Sequence, residues 1–134
     1  MYGTLDISTS GLIAQRTRLN VIAANIANAR TILNAEGGYE PYRRRIVTLA
    51  PGDPQTGSGK GVHVSAIEFD QGALTQRYEP HSPYADESGY VAYPNVDLVV
   101  EQVNAMEALR AYEANISALE ASKSMISVTL QMIA

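Results

Sequence analysis

The residues able to do chemistry are few and scattered. Only two histidines occur, His63 and His81, and neither has a second ligand at metal-binding spacing. A packing or surface role suits both better than a metal site. Asp86-Glu87 could pair as acid and base, but adjacent carboxylates ahead of Ser88-Gly89 more often form a solvated turn. Gly57-Ser58-Gly59-Lys60-Gly61 has the outline of a phosphate loop, yet it lacks the Walker spacing and has no Ser or Thr after Lys60. Arg43-Arg44-Arg45 reads as a solvated strand edge or, less readily, as a seat for an anionic partner. With no cysteine in the chain, disulfides and cysteine-based zinc or redox centres are excluded. No nucleophile, base and orienting group come together, so the expectation is a non-enzyme that uses no cofactor or metal.

The informative polar residues are Asn25 and Asn28, set among Ala24, Ala27 and Ala29. Asparagine is a mediocre helix former, so two in one helix need a reason. Either the helix frays here before a loop, or small alanines allow a close helix approach while the amides bond a neighbouring backbone. Composition does not separate the two.

The elements that carry these residues are easier to read. Leu5, Leu12, Leu19, Ile26 and Leu33 recur every seven residues, with Ile22 and Ala29 filling the seam, which predicts a helix over residues 4–29. Gly11 costs that helix about 1 kcal/mol relative to alanine, so irregular first turns are expected. In the second half, Leu98, Gln102, Ala105, Leu109, Tyr112, Ile116, Leu119, Lys123, Ile126, Leu130 and Ile133 alternate steps of four and three. They predict a helix over residues 96–134, about 58 Å long, capped by Asn95. Gln102 and Lys123 snorkel from the seam edge or else fix its register.

Between the helices lie all six prolines and eight of the ten glycines. Strands are expected over 44–49 and 62–67, with weaker ones over 74–78 and 90–93. Residues 51–59 read as a mobile loop and Gly37-Gly38 as a turn. The predicted fold is mainly α: long N- and C-terminal helices paired as an elongated antiparallel coiled coil, with a small β-rich, loop-containing insert. In domain terms, residues 1–33 and 95–134 form one discontinuous helical domain, and 34–94 form the insert.

Charge favours partners of the same kind. The net charge is −4, too small to argue for nucleic acid or an anionic membrane. Up to residue 34 three arginines face one aspartate, whereas from residue 95 onward five acidic residues face two basic ones. A basic first helix and an acidic last helix attract each other, within one copy or between neighbours. Neither a membrane span nor a cleavable secretory signal is legible.

One stretch resembles a known family. Leu19-Asn20-Val21-Ile22-Ala23-Ala24-Asn25-Ile26-Ala27-Asn28-Ala29 is similar to the N-terminal signature of the flagellar rod and hook axial proteins. Tyr78-Glu79-Pro80, Gly89-Tyr90-Val91, Pro94-Asn95-Val96-Asp97 and Tyr112-Glu113-Ala114-Asn115 look like the proximal rod branch of that family. The resemblance implies a structural subunit of the basal-body rod in the periplasm, exported by the flagellar type III apparatus without a cleaved signal. It implies helical polymerisation into a torque-transmitting drive shaft and export channel wall. Its partners would be copies of itself, other proximal and distal rod proteins, and membrane-ring or export-gate adaptor proteins. The implied assembly interface is Leu12, Leu19, Ile22, Asn25, Ile26, Asn28, Leu109, Tyr112, Ile116, Leu119, Ile126 and Leu130. A different axial subunit, or a coiled-coil adaptor or export chaperone, is the alternative.

Overall fold

The computed structural model describes residues 2–134. In chain order it contains α1 (Tyr2–Ala27), β1 (Arg45–Asp53), β2 (Ser58–Phe69), β3 (Thr75–Tyr78), β4 (Tyr90–Tyr93) and α2 (Leu98–Ile133). The helices run antiparallel: Asn25 meets Glu101, Arg18 meets Glu107, and Gly11 lies against Asn115.

The expected mainly α coiled coil with a small insert does not describe this molecule. Helix accounts for 46% and strand for 23%, in two antiparallel two-stranded sheets, so the fold is mixed α and β. The strands are longer than expected because the Gly- and Pro-rich run is mostly ladder. Pro51 pairs with Val62 and Asp53 with Ser58, with a bulge between Thr48 and Leu49. Proline is tolerated there because β1 has a free edge. Only residues 54–57 turn. The Asp53 carboxylate accepts the Gln55 N–H and the Thr56 hydroxyl, and Gly57 takes φ of 68°. Those hydrogen bonds to the charged form hold the Asp53 carboxyl below its ordinary pKa.

This hairpin lies along α1. Ser10 Oγ donates to the Ile7 carbonyl and accepts the Val62 N–H at 3.1 Å. A Cβ on Gly61 would come within 2.7 Å of that oxygen. The second sheet is held differently. Tyr39, stacked on Tyr84 at 5.4 Å, accepts the Ala92 N–H through its hydroxyl and donates to the Ala92 carbonyl. It thus occupies one backbone pairing position on β4.

Two helix ends differ from expectation. Asp97, not Asn95, caps α2, accepting the Val99 and Val100 N–H groups. Asn28 ends α1: its backbone and side-chain N–H groups both donate to the Ala24 carbonyl, and its side-chain oxygen accepts from Thr31.

The α1–α2 seam mixes small and polar residues with a few large ones, Ile22, Tyr112, Leu119 and Ile126. On α1 the buried or half-buried row runs Ser8, Gly11, Gln15, Arg18, Ile22, Asn25; on α2 it runs Glu101, Ala105, Ala108, Tyr112, Asn115, Leu119, Ser122, Ile126. Gly11 is therefore regular helix in a tight contact, not an irregular start. An added Cβ would stand 2.8 Å from the Asn115 amide, whose Nδ2 donates to the Ala111 carbonyl.

We expect Gly11→Leu to destabilise the fold by about 1–3 kcal/mol through overpacking. Asn115→Ala in the same chain should restore part of that loss. Denaturant unfolding checks both, and a Gly11→Leu protein with an unchanged midpoint would refute the seam.

Candidate assembly interface

Where α1, α2 and β1 converge, the structure buries polar groups and leaves apolar ones outside. Asn25 is 1% exposed and Glu101 fully buried. Asn25 Nδ2 donates to the Arg45 carbonyl at 2.9 Å and to Glu101 at 3.2 Å. Its Oδ1 accepts the Arg45 N–H and the Tyr42 hydroxyl, each at 2.9 Å. Both donors and both lone pairs are thereby used. Toward Arg45 the amide imitates a peptide group, so α1 closes the first pairing position on the free edge of β1.

Glu101 holds the other side. Its second oxygen accepts a close hydrogen bond from Arg44 Nε, and Arg44 also reaches Asp70 at 3.4 Å. Burial opposes the Arg44 charge, but the two carboxylates outweigh it and raise its pKa above the ordinary guanidinium value. The Tyr42 pKa is raised as well, chiefly by burial, with Arg45 opposing and Glu101 adding to the effect. Asn95 accepts the Arg44 N–H, and Arg43 donates to the carbonyls of Asp70 and Gly72. The basic triplet divides: Arg43 and Arg44 turn inward to bond the chain's own groups, while Arg45 is an exposed strand-edge residue over the rings of Tyr42 and Phe69 at 5.8 and 5.7 Å.

The residues nominated from sequence are distributed around both helices. Ile22 and Asn25 are buried, while Leu12, Leu19, Ile26, Asn28, Tyr112, Ile116, Leu119 and Ile126 are half-buried. Leu109 and Leu130 are exposed. On α1 the leucine row stands about one position round from the seam, whereas on α2 Ala105, Tyr112, Leu119 and Ile126 of the expected row lie in the seam itself. His81 is exposed, and His63 donates through Nδ1 to the Gly52 carbonyl. Asp86 accepts the Ser88 and Tyr90 N–H groups of a turn. Among the described residues no cluster of His, Cys, Asp and Glu could hold a metal. Among the described residues no helix is long and apolar enough to cross a membrane.

What sequence reasoning missed is the outer face of α2. Val99 and Val103, 68% and 58% exposed, lie with Met106 on the side opposite Glu101 and Ala108. Past the end of α1, Met125, Val128, Leu130, Met132 and Ile133 are also exposed. Exposed apolar residues thus lie on the outer side of α2 as well as at its seam, interspersed with Glu107, Arg110 and Glu113, and a single partner helix leaves them uncovered. The accessible surface is 9096 Å². A compact monomer of 14.4 kDa would expose about 6,800 Å². The excess marks an extended chain, not a compact globule.

Comparison with known proteins gives these surfaces a context. Residues 5–31 match the family model described as flagella basal body rod protein, and residues 87–132 match that of the flagellar basal body rod FlgEFG protein C-terminal region. The flagellar basal-body rod protein FlgC of Salmonella typhimurium is 44% identical, covering 98% of this chain and 97% of that protein. Its namesake from Borreliella burgdorferi is 38% identical over 99% of this chain and 97% of its own length. That from Bacillus subtilis is 36% identical, over 98% and 97%.

The polar knot yields a direct test. Asn25→Ala leaves the Arg45 peptide and the Tyr42 hydroxyl short of partners and should cost about 2–4 kcal/mol. Asn25→Asp should be worse at neutral pH, because a second carboxylate would sit beside Glu101. That proximity raises the new carboxyl's pKa above its unfolded value, so the deficit relative to wild type should shrink as pH falls toward the ordinary carboxylate range. Urea titrations of the three proteins across pH check this; a pH-independent gap between Asn25→Asp and wild type would count against it.

Proposed function

The chain belongs to the FlgC family of flagellar basal-body rod proteins, and from that premise we propose that its two helices are the surfaces through which copies polymerise helically. It is a structural rod subunit of the flagellar basal body, a component of the motility apparatus, and not an enzyme. It assembles with other flagellar rod proteins. The single observation carrying the proposal is the set of exposed apolar residues on α2 outside its contact with α1, among them Val99, Val103, Met106 and Met125.

Buried apolar area contributes about 25 cal/mol per Å². The outward valines and methionines of α2 therefore gain most when neighbouring helices close round them. In this reading α1 and α2 form the wall of a tube, with the β sheets on its outer side. Torque passes along the packed helices, and the lumen serves as an export channel. The periplasmic proximal rod is the position we assign to the chain. Distal rod subunits would lie beyond it, and membrane-ring or export-gate adaptor proteins at its base.

Export as an unfolded chain through the flagellar type III apparatus fits the energetics. There is no disulfide to break, and the fully buried apolar core is limited to Ala14, Ile22, Val91 and Ala108 among the described residues. Such a fold opens at modest cost and recovers its stability when neighbours add their burial.

Val103→Asp tests the outer face without touching the chain's own seam. The purified variant should unfold at the wild-type denaturant concentration, while the strain carrying it should be non-motile, with the variant missing from isolated basal bodies. Normal swimming by that strain would refute the outer-face assignment.

A further inference from the structure

A groove of about 660 Å³ runs between α1 and the β1–β2 hairpin. Its apolar floor is Ile7, Ile13 and Ala14 from the helix and Val62 and Val64 from the strand. Along α1 it extends from Gly3 to Thr17, about 21 Å of helix. The rim is polar, with Asp53 and Lys60 at the hairpin end. Ile13 is 61% exposed, so the floor is open to solvent in the single chain.

The same molecule carries an exposed apolar helix end, shorter than the groove is long. The antiparallel register set by Asn25–Glu101, Arg18–Glu107 and Gly11–Asn115 brings Tyr2 level with about Ser124. Beyond that point α2 continues unbroken to Ile133, about 14 Å further. Met132 and Ile133 are 82% and 78% exposed, and Met125, Val128 and Leu130 are exposed as well. No charged side chain follows Lys123, while Ser127, Thr129 and Gln131 supply uncharged polar groups between the apolar ones.

We infer that the groove receives the α2 end, residues 125–133, of a second copy of this chain. This deepens the polymerisation reading above and rests on it. The chain cannot fill its own groove, because its α2 end runs past α1 as continuous helix and does not turn back. An uncharged apolar helix fits the aliphatic floor, and its intervening hydroxyls and amide fit the rim. Knob and groove are different patches, so the contact is heterologous: each copy filled by one neighbour fills another. Such a contact does not close on itself in pairs, and it propagates when copies lie side by side with an axial stagger.

Because the chain has no cysteine, an engineered disulfide reads this contact directly. In Ile13→Cys/Met132→Cys both substitutions fall on exposed residues. Within one chain the two positions stand about 28 Å apart along the helices, too far for a disulfide. Basal bodies from a motile strain expressing this variant are oxidised and run without reductant. The expected result is a ladder of dimer, trimer and higher species of this chain, collapsing to monomer on reduction. A dimer alone would overturn the open-ended contact, and a cross-link to a different rod protein would overturn the second copy as occupant. A monomer alone, in rods that contain the variant, would overturn the docking while leaving polymerisation intact. The polymerisation reading fails separately if Val103→Asp swims normally.

Discussion

The junction of α1, α2 and the first sheet is anchored to one buried carboxylate. Glu101 is fully buried, and Arg44 and Asn25 both reach it. An ion pair taken out of water contributes little net stability, but removing one partner is expensive. The pair therefore discriminates among arrangements more than it deepens the preferred one. Sliding α2 along α1 by a turn would leave Glu101 facing Ile22, or the chain beyond the end of α1, instead of Asn25. Through Arg44 the same carboxylate fixes the start of β1, through Asp70 the exit from β2, and through Asn95 the approach to α2. One charge sets three chain crossings.

The seam built on that register is made for closeness more than for burial. Gly11, Ala105, Ala108 and Ser122 let the helices approach, and most of the larger leucines and valines are displaced to their flanks and backs. In a self-sufficient protein that choice would be poor, since it wastes apolar area. In a subunit it makes sense: the intramolecular contact sets the geometry, and the surrounding apolar surface is left for neighbours. The excess accessible surface and the small buried core follow from the same choice.

Much of this was legible in the chain. Both helices, all four strands and the Gly37-Gly38 turn follow from periodicity and turn residues, which are local signals. The seam rows were legible only in part: Ile22, Ala105, Tyr112, Leu119 and Ile126 stand on the expected lines, while Gly11, Asn25, Glu101 and Ala108 do not. Leucine at heptad spacing predicts the contact line only when large side chains make the contact, and here Gly11 against Asn115 makes it instead. The Glu101–Arg44 pair joins residues 57 apart in sequence, and nothing near either one advertises the other. The mixed fold class was missed for a related reason. Pro51-Gly52-Asp53 looks like a loop until the bulge at Thr48/Leu49 brings it into register with β2. Of the two asparagines each reading claimed one: Asn28 ends the helix, and Asn25 bonds a neighbouring backbone.

The Tyr39 hydroxyl, bonded to both the N–H and the carbonyl of Ala92, bears on fidelity of growth. A bare strand edge recruits any extended peptide, with little regard for register or identity. By occupying that edge with a phenol, and the edge of β1 with the Asn25 amide, the molecule withholds backbone valences from strangers. Accretion through strands is thereby discouraged, and the contacts left open are those of side chains, which can tell one partner from another.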